Sequence, residues 1–169
     1  DVVIDPTFGA ELAPRPDDDS TAAGLLLRGS RYAPIRQRVL DARQVVKPID
    51  TATYSIARSV LVVMGGTDPA GLAPAAVELL AGTGLALEVT TIALGENAER
   101  VRAAASGSAL SLTILAPVED LAAMMSGQDL VISAAGTSVW ELCCIGVPMA
   151  LLWAVDNQRE GYHRVVAAG

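Results

Sequence analysis

The sequence predicts an α/β domain built on a doubly wound parallel sheet with helices on both faces. From residue 59 onward, short segments rich in Val, Ile and Thr alternate with Ala- and Leu-rich segments of helical length. Right-handed βαβ crossovers produce that alternation. The composition agrees: 51% of the 169 residues are hydrophobic but only 4% are aromatic, the mix expected of buried parallel strands covered by helices. Several strand ends also run directly into turns made of Gly, Ala, Ser and Thr.

The elements follow in chain order. Residues 2–4 read as a short buried strand. Residues 9–22 combine Gly9, two prolines and the acidic run Asp17-Asp18-Asp19, which reads as an exposed loop, and Leu25-Leu26-Leu27 follows as a short apolar stretch. The segment 28–47 carries Arg28, Arg31, Arg36, Arg38, Arg43 and Lys47 against the single acid Asp41. A solvated helix face is the commoner meaning of such a run, and an anion site the rarer one.

The regular pattern then begins. Strands are predicted over Ser59–Met64, Leu85–Leu94, Leu110–Leu115, Asp129–Ser133 and Pro148–Leu152. Helices are predicted over 70–82, Glu96–Ala105, Val118–Ser126, 138–145 and Asn157–Ala168. We divide the chain into residues 1–22, the tail of a preceding domain with its linker, and residues 23–169, one binding domain.

Bulk properties narrow the function. A mean hydropathy of +0.41 excludes disorder. No apolar run reaches the roughly 18 residues that span a bilayer. The chain opens Asp1-Val2-Val3-Ile4-Asp5 without a basic leader, so a cytoplasmic location is expected. A net charge of −7 and a pI near 4.6 argue against nucleic acid as partner, yet leave room for one phosphate ligand held by local backbone dipoles. Cys143 and Cys144 are adjacent and make neither a disulfide framework nor a metal site, so buried, reduced thiols are expected.

In doubly wound sheets ligands sit at the carboxyl ends of strands. The first candidate turn is Gly65-Gly66-Thr67-Asp68-Pro69. Its glycines allow close backbone approach, and a helix N-terminus follows to offer N–H groups to an anion. Asp68-Pro69 is equally a helix cap followed by a first-turn proline.

The second turn spans Ser133 to Glu141. Ala134, Ala135 and Gly136 leave space there, Thr137 and Ser138 bring hydroxyls to a helix start, and Glu141 could accept from two vicinal hydroxyls. Ser138 and Glu141 also have the spacing of a capping box. Asn157 and Gln158 could bond a sugar or phosphate, or cap the last helix. His163, the one histidine, has no titratable partner nearby in sequence and reads as surface or packing.

In order and spacing, four stretches resemble the C-terminal domain of the PseG/SpsG group of sugar-nucleotide enzymes, relatives of MurG. They are Val60–Pro69 (VLVVMGGTDP), Asp129–Leu142 (DLVISAAGTSVWEL), Gly146-Val147-Pro148-Met149 and Asn157-Gln158. The segment Gly29–Arg36 (GSRYAPIR) is similar to the group's Gly-x-x-Tyr-x-x-Leu-Arg junction between domains.

The resemblance implies a Rossmann-like sheet forming one half of a GT-B fold. It implies a UDP-sugar as substrate rather than a resident cofactor. Gly65, Gly66 and Thr67 would face a phosphate, and Thr137 and Ser138 would help hold the diphosphate beside the room left by Gly136. Glu141 would bind the ribose, and the backbone around Ala116-Pro117-Val118 would line the uracil.

It further implies a bacterial surface-polysaccharide or nonulosonic-acid pathway, with either hydrolysis or glycosyl transfer as the reaction. The group's catalytic histidine belongs to an N-terminal domain that these residues do not match, so no catalytic residue and no metal ligand is assigned. The C-terminus is expected to stop short of the helix that crosses back, and oligomerisation through apolar surface is possible. The alternative is a non-catalytic nucleotide-binding or interaction module.

Overall fold

The computed structural model describes residues 2–12, 25–46, 57–65, 68 and 70–168. Seven strands and six α-helices form among them: β1 (Val2–Asp5), β2 (Leu25–Arg28), α1 (Gln37–Gln44), β3 (Ser59–Val63), α2 (Leu72–Gly82), β4 (Glu88–Ile92), α3 (Gly95–Ala105), β5 (Ser111–Leu115), α4 (Leu121–Ser126), β6 (Leu130–Ala134), α5 (Ser138–Ile145), β7 (Met149–Leu152) and α6 (Asp156–Ala168).

β3 to β7 make one five-stranded sheet in the order β5-β4-β3-β6-β7, and every pair in it is parallel. Each strand is a run of β-branched and aliphatic residues whose alternate side chains enter two separate cores. Val60, Val62 and Met64 of the β3 segment pack with Ala73, Ala76 and Val77 of α2 and Val101 of α3. Leu61 and Val63 pack on the other face with Val39 and Ala42 of α1, Met125 of α4, and Leu142 and Ile145 of α5. Leu61 is fully buried. Truncating such a leucine to alanine costs about 3 kcal/mol, from lost transfer energy plus the cavity left behind.

α2 and α3 thus cover one face while α1, α4 and α5 cover the other. The switch falls between β3 and β6, the two strands whose outgoing helices turn to opposite faces. In sheets of this kind the carboxyl ends of the strands at such a point are where ligands commonly sit. Val63 pairs with Ser133, so the turns after β3 and β6 leave from adjacent strands, about 4.8 Å apart.

The predicted elements all form, with local differences. The second strand of the sheet begins at Glu88 rather than Leu85 because its partner β3 begins at Ser59, which pairs with Glu88. Leu85 is left without a neighbouring strand and is 39% exposed.

β2 does not join the main sheet. It pairs in parallel with β1, Val2 opposite Leu25 through Asp5 opposite Arg28, as a separate two-stranded sheet. The boundary drawn after residue 22 therefore falls between two strands that pair with each other. Residues 2–4, read as a buried strand, are exposed: Val2 by 60%, Val3 by 41% and Ile4 by 54%. Cys143, expected to be buried, is also exposed, while Cys144 is half-buried. The desolvation that Cys143 does experience raises its thiol pKa.

No helix among the described residues is long and apolar enough to cross a membrane. No group of His, Cys, Asp and Glu among them could hold a metal ion.

Candidate functional site

The turns after β3 and β6 leave the carboxyl edge of the sheet with opposite electrostatic endings. Behind the first, α2 starts at Leu72 with Gly71 as its cap residue in a left-handed conformation. Asp68 sits four residues ahead, 6% exposed and at φ 40°. Its Oδ1 accepts from the Leu72 N–H at 2.9 Å and its Oδ2 from the Ala73 N–H at 2.8 Å.

The Asp68 carbonyl takes the Gly71 N–H at 3.0 Å and one amide hydrogen of Asn97 at 3.0 Å. The next helical residue, Pro74, has no N–H. Every donor at the start of α2 is thus either occupied by Asp68 or absent, so Asp68 supplies the negative charge that the helix end favours. The cap expected of Asp68 forms, with the carboxylate reaching forward to Leu72 and Ala73 rather than holding the cap position itself. Gly65 is described at φ 84° with open space where a side chain would point. Gly66 and Thr67 lie outside the described residues.

The turn after β6 ends differently. Ala135 N–H donates to the Leu152 carbonyl at 2.7 Å and Gly136 N–H to the Ala134 carbonyl at 2.8 Å, which fixes the turn against β7. Thr137 is the cap residue of α5, in a helical conformation, and its hydroxyl makes no capping bond. Val139 and Trp140 N–H groups bond back to Gly136 and Thr137. The Thr137 and Ser138 N–H groups donate to nothing among the described residues. The capping box that the Ser138–Glu141 spacing also allows does not form.

Beside this open helix end lies a cavity of about 640 Å³. Gly136, Thr137, Asn157 and Gln158 line it, together with Phe8, Trp140 and Tyr162. Gln158 is oriented by the bond its Oε1 accepts from the Ala154 N–H at 2.8 Å. Its amide nitrogen therefore faces the turn, 3.5 Å from where a Cβ on Gly136 would stand. Thr137, at the open start of α5, and the amides of Asn157 and Gln158 thus border one volume that Glu160 also lines, and an open helix N-terminus suits an anion.

The aromatic side of the cavity is built by contacts remote in sequence. Phe8 stacks on Trp140 with centroids 5.9 Å apart and planes 7° from parallel. Arg164 of α6 donates to the Phe8 carbonyl at 2.9 Å and pairs with Glu160, holding the stretch after β1 in place. His163 is exposed and rests against Trp153 and Tyr162, as a packing residue should.

The remaining predicted residues do not line this cavity. Glu141 lies one turn along α5 with its side chain 14% exposed, and its Oε1 accepts a hydrogen bond from Arg36 Nε at 3.0 Å and pairs with Arg36 Nη2 at 2.8 Å. Val118 is half-buried in the loop between β5 and α4.

Sequence reasoning missed Phe8, Trp140 and Tyr162 as lining residues and Arg36 as the partner of Glu141. The aromatics carried a usable signal: the chain has six, and three of them meet at this one cavity.

A five-stranded parallel sheet with helices on both faces defines a Rossmann-like α/β fold, and comparison with known proteins agrees on that fold. The crystal structure of Acinetobacter baumannii MurG superposes with a TM-score of 0.54 at 22% identity, covering 77% of this chain and 37% of that one. "Uncharacterized protein MJ1062" of Methanocaldococcus jannaschii is 22% identical over 167 residues, 96% of this chain and 34% of that protein. No protein-family model matches the chain. The chain therefore spans about a third of the length of each of these relatives.

Proposed function

We propose that this chain is the nucleotide-sugar-binding half of a UDP-sugar enzyme, either a PseG-like hydrolase or a glycosyltransferase, acting in bacterial surface-polysaccharide or nonulosonic-acid biosynthesis. The observation that carries the reading is the open N-terminus of α5 beside the cavity lined by Gly136, Thr137, Asn157 and Gln158. The Thr137 and Ser138 N–H groups and the Gln158 amide receive the diphosphate. Stabilising charge on that departing group is what this half contributes to reaction. The catalytic groups come from a second domain, preceding this one, that closes over this site.

The small sheet of β1 and β2 supports a partner domain. Parallel sheets are normally covered on both faces, and two strands alone are marginal. Here Val2, Ile4 and Leu25 are each more than half exposed, as strands would be at the edge of a larger sheet.

Calorimetry of the chain with UDP, UMP and inorganic pyrophosphate tests the reading. Weak UDP binding is expected, in the millimolar range, because one wall of the cleft is supplied elsewhere. UMP should bind more weakly still, and no UDP-sugar should be turned over by this chain alone. Absence of UDP binding, or equal affinity for UDP and UMP, would overturn it.

A further inference from the structure

We infer that residues 6–9, directly after β1, form a strap whose closure over the cavity is coupled to ligand occupancy, with Arg164 of α6 as its latch. The inference rests on the proposed binding reading of that cavity and adds the segment that moves with the ligand.

The strap links β1, which ends at Asp5, to a single helical turn over Ala10–Leu12. Two bonds shape it from within. Thr7 N–H donates to Asp5 Oδ1 at 3.1 Å, and Ala10 N–H donates to the Thr7 carbonyl at 3.0 Å. Gly9 holds φ 75°, a left-handed value that only glycine adopts without steric cost.

Contacts remote in sequence then tie the strap down. Arg164 Nη1 donates to the Phe8 carbonyl at 2.9 Å, across 156 residues of chain. The same guanidinium pairs with Glu160, one turn back on α6. The Phe8 ring lies nearly parallel to Trp140 of α5. Thr7 is nevertheless exposed, and Pro6, Phe8 and Gly9 are only half-buried. A segment so lightly covered opens at a fraction of the cost of unfolding the domain.

Pro6, Thr7 and Phe8 line the cavity together with the start of α5 and one side of α6. An occupant therefore meets the strap as well as both elements that hold it. A ligand that reaches Phe8 only when the strap is closed binds the closed form better, and by that difference it favours closure. The strap also continues β1, whose residues pair with β2. Asp5 carries both links, since its carboxylate takes the Thr7 N–H and stands 3.8 Å from Arg28 of β2. Occupancy of the cavity is thus felt by the small sheet, where Val2, Ile4 and Leu25 are exposed.

The test follows amide exchange at Thr7 and Ala10 by NMR, with and without UDP or inorganic pyrophosphate, beside calorimetric titration of both. Wild type, Arg164→Ala, Arg164→Lys and Arg159→Ala are compared, each checked for folding by thermal melting. In wild type, saturating UDP should slow exchange at both amides about tenfold. Arg164→Ala should speed exchange in the free chain and weaken UDP about fivefold. That loss should not exceed the slowing seen in wild type, because the coupling is reciprocal. Arg164→Lys should recover part of the loss, since an ammonium still donates to a carbonyl. Arg159→Ala removes an exposed positive charge from the same helix and should change neither readout.

UDP binding to wild type without slower exchange overturns the inference, as does an Arg164→Ala variant that binds UDP like wild type. A loss of affinity larger than the slowing overturns it, because Arg164 then acts on the ligand by another route. An equal loss in Arg159→Ala marks a general charge effect and overturns it too. If Arg164→Ala fails to fold, Arg164→Lys and Phe8→Leu are judged by the same criteria. If wild type binds pyrophosphate but not UDP, the nucleotide reading falls, and exchange with pyrophosphate decides the strap. Binding of neither overturns both.

Discussion

The two helix starts at the switch point are built from similar sequence and end in opposite states. After β3, Gly65 and Asp68 lead into α2; after β6, Ala135, Gly136 and Thr137 lead into α5. Both turns follow adjacent parallel strands, so both helices start at the carboxyl edge of the same sheet. The start of α2 is filled from within by a buried carboxylate, whereas the start of α5 leaves the Thr137 and Ser138 N–H groups open beside a cavity. The contrast teaches that a glycine turn followed by a helix is not by itself an anion site. The deciding residue is whichever acceptor the chain places within reach of the first N–H groups, and among the described residues the start of α2 has such an acceptor while the start of α5 does not.

If that contrast is correct, the two ends fail in different ways when mutated. The largest effect belongs to the filled end. Asp68→Ala strips the acceptor from two buried N–H groups and removes a capping charge, so it should lower unfolding free energy by about 2 kcal/mol in urea titration. Asp68→Asn keeps one acceptor and tolerates the positive φ, so it should cost less. A stability loss under about 0.5 kcal/mol for the alanine variant would mean that the α2 donors are not held as described.

The open end should answer in binding instead. Gly136 has no left-handed backbone requirement, and its nearest obstacle is the flexible end of Gln158 at 3.5 Å. Gly136→Leu therefore projects a side chain into the cavity and should reduce UDP affinity tenfold or more, about 1.4 kcal/mol or above, with little change in melting temperature. Unaltered UDP affinity would remove the cavity from the binding path. Gln158→Ala should show a mixed result. It loses the bond from Ala154 N–H, worth about 1 kcal/mol of stability, and also the donor facing Gly136, with a severalfold loss of diphosphate affinity.

Much of this was legible in the sequence, for definite reasons. The five strands of the main sheet announce themselves because buried parallel strands need continuous aliphatic and β-branched runs, and residues 59–63 and 130–134 supply them. Gly136, Thr137, Asn157 and Gln158 were identifiable because strand-end turns and helix starts carry local signatures. The cap at Asp68 was not decidable, since the same residue could cap from its own position or reach forward, and only the reach of the Asp68 side chain to Leu72 and Ala73 shows which. Long-range partners were invisible: nothing local ties Arg36 to Glu141, 105 residues away. The pairing of β1 with β2 was equally hidden, because the exposure of Val2 and Ile4 contradicts what their side chains alone imply.

The smallest effect sharpens the contrast most. Thr137 is the cap residue of α5, and at an ordinary helix start its loss to alanine would cost about 1 kcal/mol of stability through the missing capping bond. Here the hydroxyl makes no such bond and the residue is exposed, so Thr137→Ala should leave the melting temperature within about 1 °C of wild type. Its hydroxyl lines the cavity and stands ready as a donor to a diphosphate oxygen, so UDP affinity should still fall about threefold. Asp68→Ala then lowers stability while Thr137→Ala lowers binding, though both residues sit at a helix start on the carboxyl edge of one sheet. Were Thr137→Ala to destabilise the fold as a lost cap would, the end of α5 would be a second filled terminus, and the asymmetry on which the proposed ligand site rests would be gone.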